Sequence, residues 1–121
     1  MRVLIVEENA SALRQLSRMV TNLRHDVVGR ARDGASAIRL ANEVRPNLIF
    51  FSVAISEMDP IAAIRVLIRM VPGVRIIALG GALEKARLAE AQGLGAVGFV
   101  MRPYQPADVR DVIRRYSQPS R

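Results

Sequence analysis

Apolar residues recur along the chain in five short runs, separated by longer stretches with helical spacing. The runs are VLIV (3–6), DVVG (26–29), NLIFF (47–51), VRIIAL (74–79) and AVGFVM (96–101). Because their consecutive positions are apolar, both faces of each strand should be buried, which is typical of a parallel sheet. The alternation with helices predicts an α/β domain in which crossover helices cover both sides of a doubly wound parallel sheet.

The intervening stretches carry helix signals. Apolar spacing predicts helices at 10–23, 35–45, 82–92 and 106–116, and a further helix that begins at Asp59-Pro60 and ends before Pro72-Gly73. An aspartate followed by proline is typical of a helix start, so we interpret Asp59 as a cap rather than as a reactive carboxylate. Gly93 is expected to end the fourth helix. The third helix, which begins at Asp59-Pro60, is so apolar that it either packs deeply or offers an exposed patch to a partner.

The composition excludes several classes of function. The 121 residues include no cysteine, which excludes disulfides and thiolate catalysis and fits a reducing cytoplasm. No apolar run approaches the roughly 18 residues of a membrane span, and no leader-like segment opens the chain. We therefore expect a soluble cytoplasmic protein without a membrane partner.

The formal charge is +7, and 17 of the 18 basic residues are arginine. Such a balance attracts phosphate backbones or acidic protein surfaces. The arginines are spread from Arg2 to Arg121, however, and few aromatic residues are present to stack on bases. We favour a generic solvated surface and keep a small basic nucleic-acid-binding module as an alternative.

Candidate site residues follow four of the predicted strands. Glu7 and Glu8 follow the first, Ser52 follows the third, Gly80 and its neighbour follow the fourth, and Arg102 follows the fifth. In open α/β sheets a site forms outside the carboxyl ends of the strands. We therefore expect these residues to lie together.

Four motifs carry a resemblance to a known family: VLIVEENASALRQL, ARDGASAIRLANEVRPNLIFF, ISEMDP and GAVGFVMRPY. In this order and spacing the chain resembles, over essentially its whole length, the CheY-like response-regulator receiver domain of bacterial two-component signalling. The resemblance implies a flavodoxin-like (βα)5 fold with strand order 2-1-3-4-5 over residues 1–116, and a tail or start of a linker at 117–121. It implies a signalling module and not an enzyme.

The chain departs from the family pattern at the residues that carry the family's chemistry. In that family an acidic pair, matched here by Glu7 and Glu8, binds magnesium, and an aspartate accepts a phosphoryl group from a histidine kinase. Ser52 stands in place of that aspartate, which removes both the nucleophile and a metal ligand. His25, the only histidine, precedes the second strand and cannot reach Ser52 as a base. Magnesium binding at the acidic pair is expected to be weak at most, and no other cofactor is implied.

Further family positions follow the later strands. Gly80 matches the switch Ser or Thr but lacks a hydroxyl, and Phe99 matches the switch aromatic. Arg102 matches the family lysine, and Pro103 matches a proline whose peptide bond is usually cis. A guanidinium fork suits carboxylates, so an Arg102 bridge to the acidic pair could close the pocket without metal.

The leading hypothesis is a pseudo-receiver that binds a protein partner independently of phosphorylation. That partner is unidentified (a kinase, an output domain or another signalling protein), and a homodimer is left open. An alternative is a still-switchable receiver that uses Ser52 phosphorylation or anion binding. The expected partner surface, on the fourth helix, fifth strand and fifth helix, comprises Glu84, Lys85, Arg87, Phe99, Tyr104, Arg110 and Arg114.

Overall fold

The computed structural model describes residues 1–116, in which strands and α-helices alternate. The elements are β1 (Arg2–Val6), α1 (Ala10–Asn22), β2 (Asp26–Ala31), α2 (Gly34–Val44), β3 (Leu48–Ser52), α3 (Pro60–Met70), β4 (Arg75–Gly80), α4 (Lys85–Leu94), β5 (Gly98–Met101) and α5 (Pro106–Tyr116), with a short 3-10 helix (Ala82–Glu84) before α4. No helix in this range is long and apolar enough to cross a membrane. The predicted tail at 117–121 lies outside the described residues.

The five strands form one parallel sheet in the order β2-β1-β3-β4-β5, which confirms the predicted fold class and strand order. Val6 pairs with Phe51, Ser52 with Leu79, and Gly80 with Met101. This register brings the carboxyl ends of β1, β3, β4 and β5 to one edge of the sheet. The residues that follow these strands are thereby placed side by side.

Two apolar clusters cover the two faces of the sheet. Leu4 and Phe51 face a cluster built with α2, α3 and α4, whereas Ile5 and Phe50 face a cluster built with α1 and α5. Successive strand residues point to opposite faces, so each continuous apolar run serves both clusters. All five residues of β3 are buried, as a central strand covered on both sides requires.

Helix α3 begins where the sequence predicts and packs mainly into the core. The side chain of Asp59 accepts a hydrogen bond from the Ile61 N–H at 3.0 Å, and Pro60 opens the helix. Its buried residues are Pro60, Ile61, Ala63, Ile64 and Leu67. Val66 is 43% exposed and stands on the outer face. Deep packing therefore accounts for most of the apolar character of this helix.

The predicted end of α4 is wrong. The helix continues through Gly93 to Leu94 and ends at Gly95, whose φ of 126° lies in the left-handed region that glycine tolerates. Two glycines two positions apart offer the same local signal. The required backbone conformation decides between them.

Candidate functional site

The pocket at the carboxyl edge of the sheet contains a buried carboxylate and a buried hydroxyl beneath an arginine. Glu7 and Ser52 are both 0% exposed, whereas the side chain of Arg102 is 37% exposed. β1 ends just before Glu7, β3 ends at Ser52, and β5 ends just before Arg102. The structure thus brings together three residues that the sequence placed at one edge.

Both carboxylate oxygens of Glu7 accept hydrogen bonds from the protein. Oε1 accepts from the Tyr104 hydroxyl at 2.6 Å and from Arg102 Nη2 at 3.3 Å. Oε2 accepts from the Asn9 backbone N–H at 3.1 Å. Burial of a charged group is costly unless it is paired and hydrogen-bonded. The protein satisfies this carboxylate with its own donors.

Arg102 connects several loops around the pocket. In addition to the Glu7 ion pair, its Nη2 lies 3.5 Å from Ser52 Oγ, and its Nη1 lies 3.8 Å from Glu84 Oε1. The Arg102–Glu7 bridge considered from the sequence is therefore present. The peptide bond between Arg102 and Pro103 is cis, as the resemblance implies, and the Arg102 N–H donates to the Gly80 carbonyl at 2.7 Å.

Tyr104, which the sequence assigned to the exposed partner surface, is instead buried in the pocket. It is 6% exposed, and its ring packs in the cluster under α1 and α5. Its hydroxyl donates to Glu7 and accepts from Arg102 Nε at 3.2 Å. Burial raises the pKa of Tyr104, and the hydrogen bond and charge of Glu7 raise it further, against a smaller opposing effect of Arg102. The sequence carried no local signal of this burial, because it depends on how the loop after β5 packs.

Glu8 does not converge with Glu7. Its Oε1 accepts from the Ser56 hydroxyl and from the Ser56 N–H at 3.4 Å. Its backbone carbonyl accepts from Arg32 Nε at 2.9 Å. Glu8 thus holds the loop after β3 through the hydrogen bonds that it accepts from Ser56, a role that the sequence did not indicate.

The residues present do not fit the magnesium ion that the family pattern implies. Magnesium prefers several oxygen ligands in near-octahedral geometry. Both oxygens of Glu7 already accept hydrogen bonds, the Glu8 carboxylate is bound by Ser56, and Ser52 offers no carboxylate. Among residues 1–116 no three His, Cys, Asp or Glu side chains are grouped to hold a metal. The guanidinium of Arg102 supplies the positive charge beside Glu7.

Gly80, the predicted switch position, has little room for a side chain. A Cβ there would lie 3.2–3.3 Å from side-chain atoms of Val53, Glu84 and Leu88. Glu84, which the sequence assigned to the partner surface, turns inward instead. Its side chain is 16% exposed, and its Oε1 accepts from the Gly81 N–H at 3.0 Å. A side chain at Gly80 would require these neighbouring side chains to shift by a few tenths of an ångström.

The other predicted surface residues do lie outside. Phe99 is 46% exposed, and the exposed charged members are Lys85, Arg87, Arg110 and Arg114. Arg87 Nη1 donates to the Val53 carbonyl at 3.2 Å, and Arg110 pairs with Asp111 at 3.2 Å. Without Glu84 and Tyr104, the predicted partner surface retains one aromatic and four basic side chains.

Comparison with known proteins identifies the family. Residues 3–114 match the response regulator receiver domain. The chain is 29% identical over 117 residues to the chemotaxis protein CheY of Thermotoga maritima, covering 97% of this chain and 98% of that protein. It is 27% identical to a protein-glutamate methylesterase/protein-glutamine glutaminase of Geobacter sulfurreducens, covering 84% of this chain but 28% of that protein.

A solved structure gives the same result for the fold. The REC domain of AraT, a response regulator from Geobacillus stearothermophilus, superposes with a TM-score of 0.87 at 23% identity, covering 94% of this chain and 90% of that one. The sheet order and the matched residues 3–114 agree with this likeness. The chain therefore belongs to the response regulator receiver domain family, the receiver modules of two-component signalling.

Proposed function

We propose that this receiver domain no longer accepts a phosphoryl group and acts by binding a protein partner independently of phosphorylation. The observation that carries the proposal is the hydrogen bonding of Glu7, whose Oε1 is held by Tyr104 and Arg102 next to a buried Ser52. These side chains bind one another where the family binds metal and phosphate. The pocket has its own internal counter-ion.

Ser52 is poorly placed to replace an aspartate as acceptor. A serine hydroxyl needs a base to attack phosphorus. Its Oγ accepts from the Ala54 N–H at 3.2 Å and lies 3.5 Å from Arg102, so both of its described hydrogen-bond partners are donors, and the neighbouring Glu7 carboxylate is held by Tyr104 and Arg102. Its complete burial also keeps a phosphodonor or a serine kinase away. These features count against the alternative in which Ser52 is phosphorylated.

Partner binding is proposed on the surface formed by Lys85, Arg87, Phe99, Arg110 and Arg114. Its exposed aromatic residue and its three arginines are residue types that are enriched at protein interfaces. A kinase, an output domain or another signalling protein would suit it. The Glu84 contact to Arg102 links the pocket to the start of α4, where this surface begins.

The direct test is incubation with acetyl phosphate and magnesium, followed by intact-mass measurement. We expect no mass increase corresponding to a phosphoryl group. A receiver that retains its aspartate serves as the positive control, and Ser52→Ala serves as the matched negative control. A phosphoryl adduct on the wild type that is absent from Ser52→Ala would overturn the proposal.

Ser52→Asp tests how far the pocket has departed from the family. The new carboxylate would lie beside Glu7 and Arg102, so we expect partial phosphorylation at most. Gly80 still lacks the hydroxyl that would draw its loop toward the phosphoryl group. Complete phosphorylation with a conformational response in this single variant would show that the switch position matters less than proposed.

A further inference from the structure

Residues 10–32, which include α1 and β2, are rich in arginine and poor in acids. This segment holds five arginines and one acid, Asp26, so it carries four of the seven net positive charges. Residues 33–73, by contrast, hold four arginines and four acids and are neutral overall. The arginines are spread along the sequence, but the acids are not. The surface of this segment therefore differs from the evenly solvated surface that the sequence favoured.

Three of these arginines lie on α1 and on the β2 strand that it contacts, and we call them the Arg14–Arg18–Arg30 cluster. Arg14 and Arg18 are exposed, lie one helical turn apart on α1, and make no hydrogen bond or ion pair within residues 1–116. Arg30 extends from β2 to α1, where its Nε donates to Ser17 Oγ at 2.9 Å. Ser17 is 5% exposed and in turn donates to the Leu13 carbonyl at 2.8 Å.

The geometry of this cluster favours an anionic ligand. Ser17 follows Arg14 by three positions and is therefore its neighbour on the helix surface, so the Arg30 guanidinium that Ser17 binds lies on the Arg14 side of α1. Like charges at this spacing repel one another, and no carboxylate among the described residues pairs with them. Arg30 is restrained, so less of its side-chain freedom is lost when a ligand binds.

The neighbouring strand indicates what kind of anion fits. β2 is an edge strand that pairs only with β1, and Val27, Val28 and Gly29 are partly exposed. Its outer edge offers backbone donors and acceptors next to Arg30, the arrangement to which an extended peptide adds as a strand. Residues 10–32 contain no Phe, Tyr or Trp on which nucleic-acid bases would stack. An extended acidic peptide would bind both the arginines and the free backbone edge of β2, whereas a nucleic-acid phosphate backbone would bind only the arginines.

We propose that the Arg14–Arg18–Arg30 cluster, with the free edge of β2, docks an acidic extended segment of a partner protein. Carboxylates of that segment would accept from the guanidinium groups, whose planar forks match them. β2 and β5 are opposite edges of the sheet, so the strand edge proposed here is not the one that carries Phe99, although α1 and α5 cover the same face. The inference does not depend on whether Ser52 accepts phosphate.

The test uses a fluorescein-labelled oligoglutamate peptide titrated with the full chain and followed by fluorescence anisotropy. R14E/R18E is compared with R65E/R69E, which makes the same charge change at the same spacing on the exposed face of α3. We expect R14E/R18E to weaken binding by about tenfold or more and the control by less than about threefold. Binding by the wild type should weaken from low salt to about 0.15 M salt.

Each other outcome would overturn the proposal. If the wild type does not bind the peptide at low salt, the proposed docking site does not exist. Equal losses in the two double variants would show that net charge alone attracts the peptide. Duplex DNA is titrated in parallel, and tighter DNA binding that R14E/R18E abolishes would make the cluster a nucleic-acid site instead. Circular dichroism of both variants verifies that these exposed substitutions leave the fold intact.

Discussion

Removing the Tyr104 hydroxyl should destabilise the domain measurably, because that hydroxyl satisfies a buried charge. Tyr104→Phe keeps the ring in its apolar cluster and removes only the oxygen that donates to Glu7 Oε1 at 2.6 Å. The two residues are 6% and 0% exposed, so water cannot readily replace the donor. Arg102 and the Asn9 N–H remain as the donors to Glu7.

The expected magnitude follows from these contacts. A hydrogen bond to a charged group contributes about 1.5–3 kcal/mol. The hydroxyl also accepts from Arg102 Nε at 3.2 Å, but the Arg102 side chain is 37% exposed, so water can take the place of that acceptor. We therefore expect Tyr104→Phe to lower the free energy of unfolding by about 1.5–3 kcal/mol.

Urea denaturation measures this loss. With a slope of roughly 1–3 kcal/mol/M for a small protein, the midpoint should fall by about 1 M. Tyr116→Phe is the matched control, since the Tyr116 hydroxyl makes no hydrogen bond within the described residues. If both variants shift the midpoint equally, the Tyr104 hydroxyl does not support Glu7 and the description of the pocket fails.

The same hydroxyl predicts a loss of stability at high pH. Burial and the Glu7 charge raise the pKa of Tyr104 above the value of about 10 in an unfolded chain. The folded protein thus holds this proton more tightly, and the resulting stability is present below about pH 10 and is lost as the pH rises through the folded-state pKa. Tyr104→Phe should remove this part of the alkaline destabilisation. Absorbance at about 295 nm, which reports tyrosine ionisation, should also lose a late-ionising tyrosine.

Three further predictions concern the framework of the site. Asp59→Ala should cost about 1 kcal/mol in urea denaturation because it removes the cap of α3, whereas Asp59→Asn should retain most of that stability. Gly80→Ser should cost about 1–3 kcal/mol because its Cβ meets side chains at 3.2–3.3 Å, whereas Gly81→Ala, with its nearest atom at 3.6 Å, should cost less; equal losses would contradict the crowding at Gly80. Hydrogen bonds from Ser36 lower the pKa of Asp33. The stability that Asp33 contributes is therefore present above its unfolded-state pKa of about 3.9 and is lost as the pH falls through its folded-state pKa. Unfolding midpoints measured against pH should lose this dependence in Asp33→Asn.

Features that depend on residues close together along the chain could be predicted from the sequence. The two-sided apolar runs predicted a parallel sheet, and the Asp59-Pro60 pair predicted the start of α3. A parallel sheet places the carboxyl ends of its strands at one edge, so strand order along the chain was enough to group Glu7, Ser52 and Arg102. The sequence placed the end of α4 at Gly93 instead of Gly95, because both glycines satisfy the same local rule.

The partners within that group required the tertiary structure. The bond from Tyr104 to Glu7 joins residues 97 positions apart, and the Glu8 contact to Ser56 joins residues 48 apart. Whether a side chain points into a pocket or out to solvent depends on how the loops after the strands pack.

By itself, the sequence determined the doubly wound α/β class and the edge at which the site lies, because apolar periodicity and residue type carry that information locally; the strand order and the interpretation of Ser52 came from the resemblance to the family. Only the tertiary structure decided that Tyr104 and Arg102 satisfy Glu7, that Glu8 turns away from it and that Ser17 holds Arg30 beside α1. Buried polar groups must find partners, and the chain supplies those partners from whichever segments packing brings within about 3 Å.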